Sequence, residues 1–494
     1  MLLTAFAQIR FALAVATGRS LPGWALDRLI ADALATVREF GGVGPDGPEA
    51  VAGPALDEST RRAVQLRRFR AQATRAARET AFYPPVFAGL GLDPAKVEWS
   101  DVLRLPLTPK ESLRDDPDAF VRRGAAVALR TTTTGTTGRP TRVCFSAREL
   151  RTMTALSGLG QLLHGQLAPE DVAVMATSSR ATLGNLSLAG ACAQLGALLQ
   201  PVGLVEPALT LELLAEDLRL PGKKPKPSVL STYPSYLGLL VEEGLRRGYR
   251  PGDFALERVS VGGEVVTAGL RRRASALFGE TVAFDTGYAM TETFPFAGMP
   301  CDQGHLHFEP SHGLIEVLDP DTGVPAAPGA VGTLVVTPFP PFRKTTLLLR
   351  YDTQDLVRAV AGPPTCRLSS LPASSDLLGK RRLAVRHAAS WTTPRDVLEA
   401  LEAVPAVPLP ARFGFRDAGD GVAVEVVVRE DGPAIKAAIA LGLEGHGVPL
   451  RGLRLVRDKS ELRDPFPLRC DLREPIFAAA SPSSASVGLS AGGG

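Results

Sequence analysis

Apolar residues recur at every third or fourth position through the first hundred residues, where Ala, Arg and Leu dominate. This spacing predicts amphipathic helices, because it lines one face of a 3.6-residue repeat with apolar side chains. In residues 61–78 arginines are interleaved with Val64 and Leu66, which we interpret as a helix with a solvated basic face. Residues 1–17 are apolar, but Arg10 interrupts them and a bilayer span needs roughly 20 apolar residues. We therefore predict a helix there and no membrane anchor.

Short β-branched runs alternate with helical stretches between about residues 125 and 356. Strands separated by helices are typical of parallel strands with crossover connections, so this region is predicted to form an α/β sheet domain. The predicted strands are residues 171–176, 228–231, 258–261 and 282–284, and the predicted helices are residues 183–199 and 236–247.

The pattern changes after residue 300. Short strands are predicted at residues 305–308, 313–318 and 332–338, with turn residues between the last two, which favours an antiparallel, partly barrel-like subdomain. Beyond Gly-, Pro- and Ser-rich breaks, helices (residues 394–404 and 433–441) alternate with strands (residues 422–429 and 453–456), as in a small α+β domain. Residues 478–494 are Ser, Ala and Gly, and they predict a disordered tail.

Composition excludes several functional classes. The chain has 494 residues, of which 45% are hydrophobic and 22% charged, so it is too long for one compact core and two or more domains are expected. A formal net charge of +3 gives no sign of a nucleic-acid partner. The five cysteines are odd in number and scattered, which predicts no disulfide framework and a cytoplasmic location. A homodimer stays open.

The sharpest local signal is TTTTGTTGRPT at residues 131–141. Glycines there let successive amide groups turn toward an anion and threonine hydroxyls add donors, so the segment predicts a polyphosphate-binding loop. It is not a Walker loop, because no Gly-Lys-Ser/Thr follows. A flexible Thr-rich linker is the alternative. The predicted phosphate-binding residues are Thr133, Thr134, Gly135, Thr136, Thr137 and Gly138.

The loop resembles the phosphate-binding signature of the adenylate-forming superfamily, which comprises acyl-CoA synthetases, peptide-synthetase adenylation domains and luciferases. VGGEVV (residues 261–266) resembles one wall of its adenine site, and TGYAMTE (residues 286–292) resembles the motif that contacts adenine and magnesium. GTLVVTPF (residues 332–339) and RYDTQDLV (residues 350–357) follow in the order the family shows, and the latter is similar to the motif that holds the ribose.

Within the superfamily, the chain most resembles the phenylacetate-CoA ligase branch. Thr141 stands where many relatives carry Lys, as in that branch. LPLTPKESLR (residues 105–114), TYPSYL (residues 232–237) and GHLHFEPSHGLIEVLDPDTG (residues 304–323) are also similar to it. The resemblance extends from about residue 61 to residue 474.

The resemblance implies roles for individual residues. Tyr288 is expected to stack on adenine, Thr291 and Glu292 to be catalytic with Glu292 binding magnesium, and Asp355 to hold the ribose hydroxyls. As the alternative, Tyr288 is a core aromatic and the two acids are surface carboxylates. Further nucleotide-binding residues implied by the resemblance are Gly263, Glu264, Asp285, Thr286, Gly287 and Lys380.

The resemblance also implies the fold, which is α/β with a large N-terminal domain of mixed and parallel sheets, helices and a small β-barrel-like subdomain near residues 300–360. A small, mobile α+β C-terminal domain follows. On this division residues 1–100 are the helical N-terminal region of the large domain, residues 101–378 the adenylate-forming core, residues 379–476 the small domain and residues 477–494 the tail.

Two departures from the family pattern concern the chemistry. Arg469 stands where relatives carry the lysine that contacts the α-phosphate, so it is the expected catalytic cation in a different geometry. Arg382 and Leu383 replace an acidic hinge pair, and Ala389 replaces a glycine that lines the pantetheine tunnel, which weakens the case for CoA as acceptor.

Three functions therefore remain open at the level of the sequence. The first is an AMP-forming ligase that uses ATP and Mg²⁺ to adenylate a small, aromatic carboxylic acid and transfers it to coenzyme A or another nucleophile. The second is an ATP-dependent enzyme that activates nitrite to diazotise an aryl amine, as some members of the branch do. The third is a nucleotide-binding homologue with impaired catalysis.

A structural zinc site is a separate hypothesis. Cys301, His307 and Cys366 fall where many members of this branch keep a zinc-binding Cys/His cluster. Thiolate and imidazole are suitable ligands, but a structural zinc needs four. The alternative is two buried cysteines and a hydrogen-bonded histidine.

Overall fold

The computed structural model describes residues 2–19, 21–40, 57–133, 140–387 and 390–471. The predicted tail at residues 477–494 lies outside these residues, as does Ala389. Helices fill the N-terminal region as predicted, and the third begins where the side chain of Asp57 accepts a hydrogen bond from the amide of Thr60. The N-terminal helices are α1 (Leu2–Thr17), α2 (Gly23–Phe40), α3 (Glu58–Glu79), α4 (Tyr83–Leu90), α5 (Trp99–Arg104) and α6 (Lys110–Asp115).

A two-stranded antiparallel hairpin of β1 (Val127–Thr132) and β2 (Arg142–Ser146) follows. Its register pairs Thr132 with Arg142, so the Thr-rich segment leaves the hairpin at its tip. The hairpin itself is not among the strands predicted from the sequence.

The next five strands form a parallel sheet in the order β4-β3-β5-β6-β7, with crossover helices between them. This confirms the predicted parallel sheet. The predicted helix at residues 183–199 is too long, because Gly196 takes φ 81° and ends it at Leu195, and strand β4 begins at residue 198. The elements are α7 (Ala147–Leu163), β3 (Val172–Ala176), α8 (Thr182–Leu195), β4 (Leu198–Pro201), α9 (Pro207–Ala215), β5 (Val229–Thr232), α10 (Pro234–Arg247), β6 (Arg258–Val261), α11 (Ala268–Phe278) and β7 (Ala283–Thr286).

Two four-stranded antiparallel sheets follow, in the orders β14-β10-β9-β8 and β11-β12-β13-β15. Every residue of β12 is buried, as expected for a strand between two others in a packed subdomain. The strands are β8 (Tyr288–Ala289), β9 (Ala297–Pro300), β10 (His305–Phe308), β11 (Gly313–Leu318), β12 (Val331–Pro338), β13 (Tyr351–Arg358), β14 (Ala373–Ser375) and β15 (Gly379–Lys380).

The C-terminal part is a small α+β unit with its own core, centred on Leu401, Phe413, Val424 and Ile439. Its three-stranded sheet has the order β18-β19-β20, with one antiparallel and one parallel pair. The elements are β16 (Val385–Arg386), β17 (Trp391–Thr392), α12 (Pro394–Glu402), β18 (Phe413–Asp417), β19 (Val422–Val427), α13 (Pro433–Gly445) and β20 (Leu450–Val456). The residues at which the domains were predicted to begin and end stay predictions.

Helix α12 packs on the N-terminus of α11 through hydrogen bonds to the buried Glu402 and the partly buried Glu399. The hydroxyl of Thr267 donates to Glu402 at 2.5 Å, and the amide of Ala268 donates to Glu399 at 2.9 Å. On the same face, Arg395 donates to the carbonyl of Val266 at 3.1 Å. The small unit is therefore held by several polar contacts of defined geometry.

A carboxyl group at the centre of this contact is poised to titrate near neutrality. Burial raises the pKa of Glu402 to about 7, against hydrogen bonds from Thr267 and the amide of Ala411 that lower it. Glu399 adds to the increase and Arg273 opposes it. The protonated form of this side chain is thus the one that the interface favours.

No helix among the described residues is both long enough and apolar enough to cross a membrane.

The free energy of unfolding of the wild type should fall as the pH rises, and we expect Glu402→Gln to abolish this fall. Because the pKa in the folded protein lies above that of an unfolded chain, the stabilisation is complete at low pH and is lost as the pH rises through about 7. At about 1.4 kcal/mol for each pKa unit, the wild type should lose on the order of 3 kcal/mol between pH 5 and pH 8. Thermal unfolding across this range measures it, and the exposed Glu444→Gln on α13 is the control. Parallel profiles for wild type and Glu402→Gln would show the assignment to be wrong.

Candidate active site

A cavity of about 1970 Å³ opens at the carboxyl ends of the parallel strands, next to Thr232, Val261 and Thr286. In open α/β sheets this edge is where ligands bind. Single small-molecule sites usually occupy about 300–1000 Å³, so this cavity has room for more than one ligand.

The phosphate loop begins and ends at this cavity. The amide of Thr133 donates to the carbonyl of Thr141 at 2.9 Å, and the amide of Thr141 donates to the Thr133 hydroxyl oxygen at 3.1 Å. Both residues line the cavity. The remaining predicted phosphate-binding residues lie outside the described residues; they are Thr134, Gly135, Thr136, Thr137 and Gly138.

Glu292 is a buried carboxylate on the cavity wall, with 1% of its surface exposed. Its oxygen lies 3.1 Å from the Lys110 ammonium nitrogen and accepts a hydrogen bond from the Tyr351 hydroxyl at 3.1 Å. Burial acts to raise the pKa of Glu292, but Lys110 and Lys380 oppose it and the net pKa is lowered. Glu292 is therefore held as an anion.

Asp355 forms a second ion pair on the same wall. Its carboxylate lies 2.7 Å from the Lys380 ammonium nitrogen and accepts a hydrogen bond from the Tyr288 hydroxyl at 2.9 Å. Burial lowers the pKa of Lys380 and Asp355 opposes this, whereas burial raises the pKa of Tyr288 well above its usual value. Neither Glu292 nor Asp355 is a surface carboxylate, and the two ion pairs share one wall.

Arg469 reaches the cavity from the small unit. Its guanidinium lies over the Tyr233 ring at 5.2 Å and packs against Gly263, where an added Cβ would lie 2.8 Å from the Arg469 Cζ. Gly263 also takes φ 86°, a backbone conformation that favours glycine. The Glu264 carboxylate accepts hydrogen bonds from the amide of Arg469 at 2.7 Å and from the amide of Ser235 at 3.0 Å. Glu264 is thereby engaged in holding the small unit.

The remaining predicted residues also line the cavity; they are Asp285, Thr286, Gly287 and Thr291. Both oxygens of Asp285 accept hydrogen bonds from one Arg258 nitrogen at 2.9 Å, so this carboxylate already has a partner. Thr286 accepts a longer hydrogen bond of 3.4 Å from Arg271.

Two partners of Glu292 are not among the site residues predicted from the sequence. Lys110 lines the cavity, and the fully buried Tyr351 donates a hydrogen bond to Glu292. Lys110 begins α6 within the segment LPLTPKESLR, whose likeness to the phenylacetate-CoA ligase branch gave no role to the lysine. Tyr351 belongs to RYDTQDLV, a motif in which a role was predicted only for Asp355. No pattern within either segment signals these two contacts.

A Cys/His cluster lies in the antiparallel region, and its four residues are not among those that line the cavity. Ligand atoms of Cys301, His305 and His307 all lie within 4.8 Å of one another. The sulfur of Cys366 lies 3.2 Å from the Nε2 atom of His307. The three predicted residues are thus brought together, and His305, which the sequence analysis left without a role, joins them because it lies two residues from His307 on β10.

Fold and cavity together define the class of the protein, an α/β enzyme with a nucleotide-sized cavity beneath a small C-terminal unit. Residues 76–338 match the family described as AMP-binding enzyme, and the chain belongs to this family. It is similar to phenylacetate-coenzyme A ligase of Thermus thermophilus, with 30% identity over 313 residues that cover 62% of this chain and 67% of that protein. The predicted membership of the adenylate-forming superfamily, and with it an enzyme of the AMP-forming ligase type, is confirmed.

Solved structures show the same fold. A 2-hydroxyisobutyryl-CoA ligase in its postadenylation state, in complex with 2-HIB-AMP, has a TM-score of 0.69 at 19% identity and covers 84% of this chain and 90% of its own. The same ligase in its thioesterification state, in complex with 2-HIB-AMP and CoA, has a TM-score of 0.56 at 18% identity, with 82% and 87% covered. The predicted fold is confirmed.

Proposed function

We propose that this chain is an ATP-dependent, AMP-forming ligase that adenylates a small aromatic carboxylic acid and transfers the acyl group to coenzyme A. One observation carries the proposal: the ends of the phosphate loop, both buried ion pairs and Arg469 border a single cavity. The likeness to phenylacetate-coenzyme A ligase supports an aromatic acid and coenzyme A as the substrates.

In the first step, a carboxylate oxygen attacks the α-phosphorus of ATP, the bond to the β-phosphate breaks and pyrophosphate leaves. Thr133 and Thr141 would donate hydrogen bonds to phosphate oxygens, and Asp355 would accept hydrogen bonds from the ribose hydroxyls. The Tyr288 ring lies on the same wall and would contact adenine. These groups hold the two reactants in line, which supplies much of the rate enhancement in such a transfer.

Magnesium fits the donor set at Glu292. The buried carboxylate is an oxygen ligand of the kind that Mg²⁺ prefers, and the ion would neutralise charge on the phosphates. Lys110 lies 3.1 Å from the same oxygen and would compensate the charge of Glu292 when the nucleotide is not bound. Lys380 would do the same for Asp355.

Arg469 is proposed to contact the α-phosphate and the attacking carboxylate. Its planar fork can bind two oxygens at once, and the Glu264 contact fixes its main chain at the cavity rim. In the second step, the acceptor thiolate attacks the acyl carbon and AMP leaves. An amine acceptor remains a second possibility, since Arg382 and Leu383 depart from the family's hinge pattern.

We also propose a structural zinc at the Cys/His cluster. Together with Cys366, whose sulfur lies 3.2 Å from His307, the three grouped residues would offer two thiols and two imidazoles, ligands that Zn²⁺ accepts. Among the described residues, the buried Nδ1 atom of His305 has no hydrogen-bond partner, which supports a role as a ligand. A homodimer and a cytoplasmic location stay predictions.

Pyrophosphate release tests the proposed reaction. Purified protein with ATP and Mg²⁺ should release pyrophosphate and form AMP in the presence of aryl acids, and adding coenzyme A should convert the acid to its thioester. Release that depends on nitrite would instead support nitrite activation for transfer to an aryl amine. ATP binding without release under any of these conditions would support the impaired homologue.

Arg469→Met is expected to lower kcat for pyrophosphate release by about 10²–10³-fold, the range for removing one transition-state donor. Arg469→Lys should restore part of the rate, since it keeps the charge but not the fork. The KM for ATP should change much less, because Asp355 and the loop bind the nucleotide. Arg463→Met, an exposed arginine of the same segment, is the control. If Arg469→Met turns over within twofold of wild type, Arg469 has no contact with the reacting groups.

Metal analysis of the purified protein should find about one zinc per chain, since four suitable ligands make one structural site. Cys366→Ser and His305→Ala should each lose the zinc and lower the thermal midpoint. Cys192→Ser changes a buried cysteine outside the cluster and should keep the zinc. A wild-type chain purified without chelators that contains no zinc would contradict the proposal.

A further inference from the structure

Helix α1 contributes to the cavity although it lies outside the region that the family shares. The family match begins at residue 76, whereas α1 spans Leu2–Thr17. Four of its residues line the cavity, namely Phe11, Ala12, Val15 and Ala16. Their spacing of one and four residues places them on one face of the helix.

The helix is fixed in this position by packing. Ala14 on α1 and Leu26 and Ile30 on α2 belong to one buried cluster, which also contains Ala155 and Leu159 of α7. The backbone of Gly18 at the end of α1 passes close to Pro340, whose Cγ would lie 3.3 Å from an added Cβ. These contacts fix which face of α1 borders the cavity.

Several apolar side chains line the cavity on the helices near α1, and we call this part the apolar lobe. Arg61, Arg67 and Arg68 of α3 also line the cavity, so its charge is not confined to the wall that holds Glu292 and Asp355. Helix α7 contributes Met153 and Leu156, and helix α8 contributes Leu183 and Leu188. The only charged residue in α1, Arg10, does not border the cavity. The apolar lobe stabilises an apolar group by removing it from water.

We propose that α1 is a specificity-determining wall of the acid site, and that the acid is one whose apolar body extends from the carboxylate to this helix. The inference rests on the proposed function, since it assigns the lobe to the acid. Ala12 and Ala16 set the room available, because a larger side chain at either position projects into the lobe. Short or polar acids leave the lobe filled with water and are poor substrates.

The test is a size series of acids measured with full-length variants. Straight-chain acids from acetate to decanoate and phenylalkanoates of increasing length are compared by pyrophosphate release. For Ala12→Phe and Ala16→Phe, kcat/KM should fall for the longest acids accepted by wild type relative to the shortest. One methylene in an apolar pocket changes this ratio by about 10–200-fold, so a shift of at least tenfold is expected. The KM for ATP should stay within twofold.

Leu13→Phe is the matched control, since Leu13 lies on the same helix with 51% of its surface exposed and does not border the cavity. Ala12 and Ala16 are also accessible in the absence of substrate, so adding a ring at these positions crowds no core contact. The inference is overturned if both Ala→Phe variants keep the acid profile of Leu13→Phe, or if they alter the KM for ATP and not the acid ratio. Wild type that releases no pyrophosphate with any acid would instead refute the proposed function itself.

Discussion

Two carboxylates buried in one cavity wall are the constraint on which the rest of this site depends. An isolated buried charge costs many kcal/mol, so Glu292 and Asp355 can be kept there only if a cation and hydroxyl donors face each of them. Lys110 and Tyr351 do this for Glu292, and Lys380 and Tyr288 do it for Asp355.

These partners come from parts of the chain that are far apart. Lys110 begins α6, Asp355 lies in β13 and Lys380 ends β15. Satisfying two charges therefore fixes how the N-terminal helices, the antiparallel sheets and the connection to the small unit meet. A bound magnesium ion would take over part of this compensation at Glu292. The two lysines balance the carboxylates when no nucleotide is bound.

The order of elements could be predicted from the sequence to a large extent, because apolar runs report the parallel strands directly. β6 was placed at its observed residues, and the Val-rich β19 was placed within two residues. Apolar periodicity gave a wrong helix end where a glycine conformation sets the boundary. Gly196 takes a left-handed conformation that ends α8, and β4 begins two residues later within the same apolar run. The β1–β2 hairpin was not predicted for a different reason. Most residues of β1 are exposed, and no apolar alternation marks this strand.

The site residues likewise fall into those that could be predicted from the sequence and those that could not. Residues within contiguous motifs, such as Tyr288 and Glu292, could be found from the resemblance, because their spacing is local. Lys110 could not, because its role depends on a contact with a residue 182 positions away, which no pattern in one segment records. His305 could not be assigned from the sequence either. His307 two residues later was a predicted ligand, but only the structure shows that Cys301 and Cys366 approach these histidines.

The contact between Glu264 and the main chain of Arg469 links departure of the Arg469 cation to entry of water into the cavity. The guanidinium lies inside the cavity while its backbone is held at the rim, and α12 is held on α11 by separate bonds. Each such bond is worth only about 1 kcal/mol net, but swinging the small unit away breaks them together. Withdrawal of the cation and entry of solvent would then be one event. An adenylate formed here would meet water only after the charge that helped to make it had departed.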